Sequence, residues 1–190
     1  MVAKGHDFPG VTLVGALDAD GPLHLPDFRA AERCVQLLAQ VAGRAGRGEQ
    51  PGRVLLQAFR TAEPAVLAAA AHDYAAFARD ELARREALSF PPYARLCALR
   101  LQGNVEARVQ AAAERLAGRA RELQRRGGDP VEVLGPAPAP IARLRGKHRF
   151  QLLLRARDHR PLHGLCRALG EAPLPAGVEL AVDVDPVALV

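Results

Sequence analysis

Lys147–Arg157, KHRFQLLLRAR, alternates side-chain character along its whole length. His148, Phe150, Leu152, Leu154 and Ala156 make one face; Lys147, Arg149, Gln151, Leu153, Arg155 and Arg157 make the other. A period of two sets successive side chains on opposite sides of a strand, so this segment predicts a strand with one face on a core. Working outward, strand Tyr93–Gln102 precedes helix Val105–Arg126, a Gly-Gly turn and strand Val131–Leu134. A Pro-rich stretch, GPAPAPIARLRG, leads into the alternating strand, and helix Pro161–Leu169 and strand Val178–Val184 follow it. The order is βαββαβ, a ferredoxin-like α+β arrangement. Pro130, Pro136, Pro138 and Pro140 predict a long, stiff loop between the second and third strands.

Upstream the pattern differs. Val11–Asp18, a short apolar run, reads as a buried and parallel strand. Pro26 and Asp27 open a helix to about Ala42, with Ala31, Val35, Leu38 and Val41 at apolar spacing. Arg53–Ala58 reads as a second strand after the Pro51-Gly52 turn. Strand, helix, Gly-rich turn, strand is the pattern of an α/β layer; two strands are too few for a sheet of their own, so it reads as the tail of a larger domain. Pro64–Leu88 predicts one long Ala-rich helix, stopped by Ser89-Phe90-Pro91-Pro92. The domain boundary is placed there, giving domains 1–90 and 91–190.

Composition agrees with two small cores. Of 190 residues 49% are hydrophobic, too many for a disordered chain, and the apolar runs Val11–Leu17 and Ala65–Ala71 are too short to span a membrane. Residues 1–90 carry 10 basic and 11 acidic side chains, whereas 91–170 carry 16 basic against 6 acidic. Such a basic stretch fits a polyanion partner and equally an Arg-rich surface, since Arg supplies 24 of the 26 cations. Cys34, Cys97 and Cys166 form no CxxC pair, so no zinc knuckle arises from sequence neighbours; they read as core thiols of a cytosolic protein. MVAKGHDFPG does not read as a signal peptide, because no 7–15-residue apolar region follows Lys4. His24, His72, His148, His159 and His163 lack a Cys or carboxylate at ligand spacing, and no metal site is expected.

The most specific local feature is QVAGRAGR, Gln40–Arg47. Two Arg three apart in a turn with Gly43 and Gly46 suit a γ-phosphate: Gly permits close backbone approach, and Arg offers permanent planar donors. A Gly-rich loop with solvated Arg explains the same residues. Upstream, Lys4-Gly5-His6-Asp7-Phe8-Pro9 precedes a strand. QxxGRxGR after GxDxP resembles motifs VI and V of superfamily 2 helicases. Together with LDADGPLHLPDFRAAERCVQLLAQVAGRAGR, Tyr74–Phe77, Glu81, Leu82, Arg85, FPPY, VLGPAPAPIARLRGKHRFQLLLR and the final DVDP, the chain resembles the bacterial primosomal protein N′ (PriA) family of replication-restart DNA helicases over essentially its whole length.

That resemblance implies a C-terminal portion of such a helicase: the end of a second RecA-like lobe, then a βαββαβ domain similar to ribosomal S10. It implies ATP between two lobes, with Arg47 as the arginine finger, Arg44 beside it, and Gln40 ordering the motif. Gly5, Asp7 and Gly43 would face the nucleotide, and Lys4 and His6 the DNA track. ATP and Mg2+ are implied for the intact protein; zinc belongs to the family, but its Cys module is not in this sequence. Nor is a phosphate loop, since Gly146-Lys147 is followed by His148, and Asp80-Glu81 lies in a helix rather than at a strand end. The chain alone is therefore not expected to hydrolyse ATP. Met1, at the front of motif V, reads as an internal residue.

Forked or single-stranded DNA is the expected substrate. Lys147, Arg149, Arg155 and Arg157 would line the sheet face away from the helices, and Arg143 and Arg145 would extend it. An ordinary charged face, offset by Glu179, Asp183 and Asp185, is the alternative. Four phosphate contacts predict a salt slope near −3, roughly. Arg108, Arg115, Arg119 and Arg126 on the long helix read as stems over the core rim. The family recruits the acidic, apolar-tipped tail of single-stranded DNA-binding protein, among other primosome proteins; His159, Arg160 and His163 are the candidate edge for it, against a plain surface helix. The implied location is cytoplasmic, at the nucleoid. A non-catalytic DNA- or protein-docking module is the alternative function, and an unrelated α/β protein a third.

Overall fold

A computed structural model describes residues 11–45, 52–127 and 130–189. The chain divides into two compact units, 1–84 and 85–190.

In the first unit β1 (Leu13–Ala16) and β2 (Arg53–Leu56) pair in parallel, in register from Leu13↔Arg53 to Ala16↔Leu56, and α1 (Ala30–Ala42) connects them. The parallel reading of Val11–Asp18 is thus met, over a shorter strand, but the buried reading is not: β1 alternates between exposed and half-buried residues, because the described residues of this unit leave its apolar side chains uncovered. The helix begins at Ala30 rather than Pro26, because Leu25 and Asp27 are spent on a turn. Asp27 Oδ1 accepts the Arg29 N–H at 2.9 Å, and its Oδ2 pairs with Arg33 at 2.9 Å. Cys34, Val35 and Leu38 of α1 form a buried cluster with Ala65, Ala69 and Phe77.

The single helix expected over Pro64–Leu88 is two: α2 (Pro64–Ala71) and α3 (Tyr74–Ala87). His72 ends the first in the left-handed region, φ 54°, and Asp73 starts the second by accepting the Ala76 N–H at 2.9 Å. An Asp at that position satisfies an orphan donor of the new helix. Apolar spacing continues through the break, which is why periodicity alone missed it.

The second unit follows the expected βαββαβ order: β3 (Arg95–Gly103), α4 (Glu106–Gly127), β4 (Glu132–Leu144), β5 (Lys147–Ala156), α5 (His159–Gly170) and β6 (Val178–Val184). The sheet order is β4-β5-β3-β6, antiparallel throughout, and both helices pack on one face. Cys97, Leu99, Leu101, Leu152, Leu154 and Phe150 meet Val109, Ala113, Leu116, Leu162 and Leu169 in one core. At Gly103 a Cβ would lie 2.5 Å from the Gly177 carbonyl oxygen, so only Gly fits between β3 and the approach to β6.

Two expectations change here. The Pro-rich stretch is not a loop: it belongs to β4, which pairs with β5 on both sides of register shifts between Leu134 and Ala137 and between Pro138 and Arg143. An edge strand tolerates Pro, because an N–H that faces away from the ladder is not missed. The hairpin closes in two residues, Arg145 (φ 49°) and Gly146 (φ 83°), the positive-φ pair that such a turn requires. Nor is the sheet face away from the helices fully open. Leu96 and Ala98 on that face are buried. The segment after β6 runs along it: the Asp185 N–H donates to Leu96 O at 2.8 Å, Arg100 Nη2 donates to Ala188 O at 2.7 Å, and Pro186 and Leu189 are buried.

Candidate functional site

The arginine–glycine turn grows directly out of α1. Gly43 ends the helix, its N–H donating to Ala39 O at 3.0 Å, and the Arg44 N–H donates to Val41 O at 3.1 Å. Arg44 is half-buried and Gln40, one turn earlier, is exposed. A cation is favoured at this end of a helix, where the dipole is negative. Arg47, and Lys4, Gly5, His6 and Asp7, lie outside the described residues. The structure therefore brings together Gln40, Gly43 and Arg44 only.

Asp20 braces the same unit and was not singled out from sequence. Its buried carboxylate accepts the N–H groups of Phe59 at 3.0 Å and Arg60 at 2.8 Å, fixing the chain as it leaves β2. Burial works against the charge, but the N–H donors outweigh it and hold the Asp20 carboxyl below its ordinary value. Its partners are backbone groups 39 and 40 residues away, which no local motif announces. Asp80 and Glu81 fall inside α3, as a helical pair and not at a strand end.

The second candidate site is the β4–β5 hairpin. The strand alternation over Lys147–Arg157 holds: Phe150, Leu152, Leu154 and Ala156 are buried on the helix side. The basic residues do not act as one patch, however. Lys147 pairs with Glu179 at 2.6 Å. This bond, and one from Gln102, hold the Glu179 carboxyl below its ordinary value. Arg155 is engaged still more fully: Nε donates to Glu132 at 2.9 Å, Nη1 donates to Leu88 O, and the guanidinium lies 5.7 Å from the Phe90 ring centre. Arg143, Arg145 and Arg157 are exposed, and Arg149 makes one long bond, 3.4 Å, to Ile141 O. Among the described residues none of these four has a carboxylate partner. Arg143, Arg145 and Arg149 thus lie at and beside the hairpin tip, whereas Arg157 follows the far end of β5.

At the start of α5, His159, Arg160 and His163 are all exposed, and the two imidazoles meet edge-on at 5.8 Å. His148 lies on the helix side of the sheet, 3.4 Å from Glu106.

The three thiols are buried in the cores. Burial pushes Cys34 up to about 11, and the hydrogen bond with Cys166, followed by burial, raises Cys97; neither is a thiolate nucleophile. Among the described residues no group of three or more His, Cys, Asp or Glu is placed so that it could hold a metal. No described helix is long and apolar enough to cross a membrane.

Residues 86–187 match the family model of the primosomal protein N C-terminal domain, and the chain belongs to that family. Its relatives are replication restart proteins. It is 40% identical over 171 residues to the replication restart protein PriA of Bacillus subtilis, covering 90% of this chain and 21% of that one. It is 43% identical over 188 residues to PriA of Treponema pallidum, covering 98% and 28%, and 39% identical over 193 residues to PriA of Synechocystis, covering 100% and 22%. The chain spans roughly a quarter of the length of the curated relatives it matches.

Proposed function

We propose that this chain supplies two parts of an ATP-dependent replication-restart DNA helicase: the closing segment of a RecA-like lobe and a C-terminal domain that holds DNA. The observation that carries the reading is the Gln40–Arg44 turn, set at the end of the helix that joins two parallel strands. Gly43 and Arg44 occupy the exit of that helix, with Arg44 half-buried there. In the intact protein ATP and Mg2+ would lie against this turn, with Gly5 and Asp7 nearby and Arg47 meeting the charge that develops on the γ-phosphate. An arginine in that role contributes about 10³–10⁵ in rate.

The exposed apolar side chains of the first unit support a larger lobe. Parallel sheets are ordinarily covered on both faces, yet Leu13, Leu17, Leu55 and Phe59 are exposed. Further chain packed there would bury them. For the second unit, the free hairpin arginines support contact with forked or single-stranded DNA, through phosphates and without base reading. Single-stranded DNA-binding protein would dock at His159, Arg160 and His163, within a primosome assembled at the nucleoid in the cytoplasm.

The test uses an intact replication-restart protein carrying this sequence. Arg47→Ala should abolish unwinding of forked DNA and leave DNA binding near its original affinity; unchanged unwinding refutes the finger. DNA-stimulated ATP hydrolysis by the 190-residue chain alone would refute the division of the site between this chain and a phosphate-loop lobe.

A further inference from the structure

We propose that Arg100 is a phosphate contact held in reserve, and that residues 186–189, hinged at Asp185, form a strap that lifts from the outer sheet face to let Arg100 meet DNA. The inference rests on the DNA-holding reading of the second unit and adds to it a residue and a gate.

Alternation along β3 sets Cys97, Leu99 and Leu101 in the core and Leu96, Ala98, Arg100 and Gln102 on the face away from the helices. Arg100 lies opposite Gln151 of β5, and Arg149 lies opposite Gln102. Arg100 and Arg149 are therefore diagonal neighbours, about 7–8 Å apart, so a strand gripped at Arg149 passes beside Arg100. Two groups withhold the Arg100 guanidinium. Its Nη2 donates to Ala188 O at 2.7 Å, and its Nη1 lies 3.5 Å from Asp183. The carbonyl bond is the close one; a half-exposed carboxylate at the longer distance holds little. Ala188 belongs to the strap, so the strap is what keeps Arg100 from a phosphate.

The strap has a hinge and a reason to open. The ladder with β3 ends at Asp185, whose N–H donates to Leu96 O at 2.8 Å and whose backbone is left-handed, φ 50°. Asp is among the few residues that adopt this conformation readily. With the strap closed, Arg100 Nε and Gln151 Oε1 are buried with no hydrogen-bond partner among the described residues. A buried donor or acceptor left unmet is penalised, and lifting the strap returns both to water. Pro186 and Leu189 are buried and oppose the lift. A phosphate tips the balance, because a guanidinium bonds its oxygens in pairs with charge assistance.

Fluorescence anisotropy with labelled oligothymidine compares four versions of the 190-residue chain: the parent, Arg100→Met, a loosened strap carrying Pro186→Ser and Leu189→Ser, and the triple variant. The parent and Arg100→Met should share a slope of log affinity against log salt of about −2.8, the loosened strap should give about −3.5, and the triple variant about −2.8. Between about 50 and about 200 mM salt the loosened strap then weakens roughly 130-fold, against roughly 50-fold for the parent. NMR of the unaltered chain reads the strap directly: adding oligothymidine should shift the Arg100 Nε–H signal and move the Ala188 and Leu189 methyl signals toward unfolded-chain positions. Methyl signals that stay in place in the DNA-bound parent overturn the strap, whether or not the loosened variant folds. A flatter slope in Arg100→Met alone also overturns it, since the contact is then already made. A parent without salt-dependent oligothymidine binding refutes the DNA-holding reading and this proposal with it, whereas a parent slope near −2.8, roughly, with the same slope in a folded loosened variant refutes this proposal alone.

Discussion

Replacing Arg143 and Arg145 together with Ala asks whether the β4–β5 hairpin holds DNA, and the structure sets the size of the effect. Arg143, Arg145, Arg149 and Arg157 have no carboxylate partner among the described residues, whereas Lys147 and Arg155 are held by Glu179 and Glu132. Each phosphate neutralised on a single strand contributes about −0.7 to the slope of log affinity against log salt. Four free arginines give a slope of about −2.8, so raising salt from about 50 to about 200 mM weakens binding roughly 50-fold. The double variant keeps two, which gives about −1.4 and a loss of roughly sevenfold over the same range. Fluorescence anisotropy with labelled oligothymidine reads both numbers. Glu179→Gln is the internal control: it releases Lys147 and should steepen the slope by about 0.7. A double variant with the parent slope refutes the hairpin assignment, whatever its affinity.

Three further outcomes test the fold that positions these sites. Asp20→Ala removes the acceptor of the Phe59 and Arg60 N–H groups and should lower the denaturation midpoint of the first unit at neutral pH. Because the folded Asp20 carboxyl is held below its ordinary value, its stabilising effect is complete above the unfolded value of about 3.9 and fades as pH falls through the folded one. The variant should therefore differ from the parent at pH 7 and converge with it in acid; a constant difference contradicts the reasoning. Leu152→Ala empties a fully buried position of the second core and should cost about 2–5 kcal/mol by calorimetry. Gly103→Ala sets a methyl 2.5 Å from the Gly177 carbonyl oxygen and should cost about 1–3 kcal/mol; a variant as stable as the parent contradicts the close approach there.

Much of this architecture was legible in sequence because the signals were local. The period-two alternation of Lys147–Arg157 and the apolar stripe over Val105–Arg126 each depend on neighbours within one element, and the βαββαβ order follows from them. The misses share one cause, which is context supplied from elsewhere in the chain. Pro136, Pro138 and Pro140 read as a loop until β5 is placed beside them and they become an edge. Lys147 and Arg155 read as a DNA face until Glu179 and Glu132, from other strands, occupy them. Leu96 and Ala98 lie on a face expected to be open but are buried, and residues 185–188 fold back along it through bonds to Leu96 and Arg100. His72-Asp73 was legible in principle, since Asp before an Ala-rich run is a start signal, but continuous apolar spacing outweighed it. Of the turn proposed to face phosphate, sequence named the residues, and the structure adds that Gly43 and Arg44 sit at the exit of α1.

The most direct measurement is DNA-stimulated ATP hydrolysis by an intact replication-restart protein carrying this sequence, with Arg47→Ala and Arg44→Ala compared separately. The account predicts that Arg47→Ala lowers turnover by about 10³-fold or more while forked-DNA affinity stays near that of the parent. Arg44→Ala should lower turnover less. Turnover unchanged in the Arg47 variant, or a fall matched by equal loss of DNA binding, would contradict it.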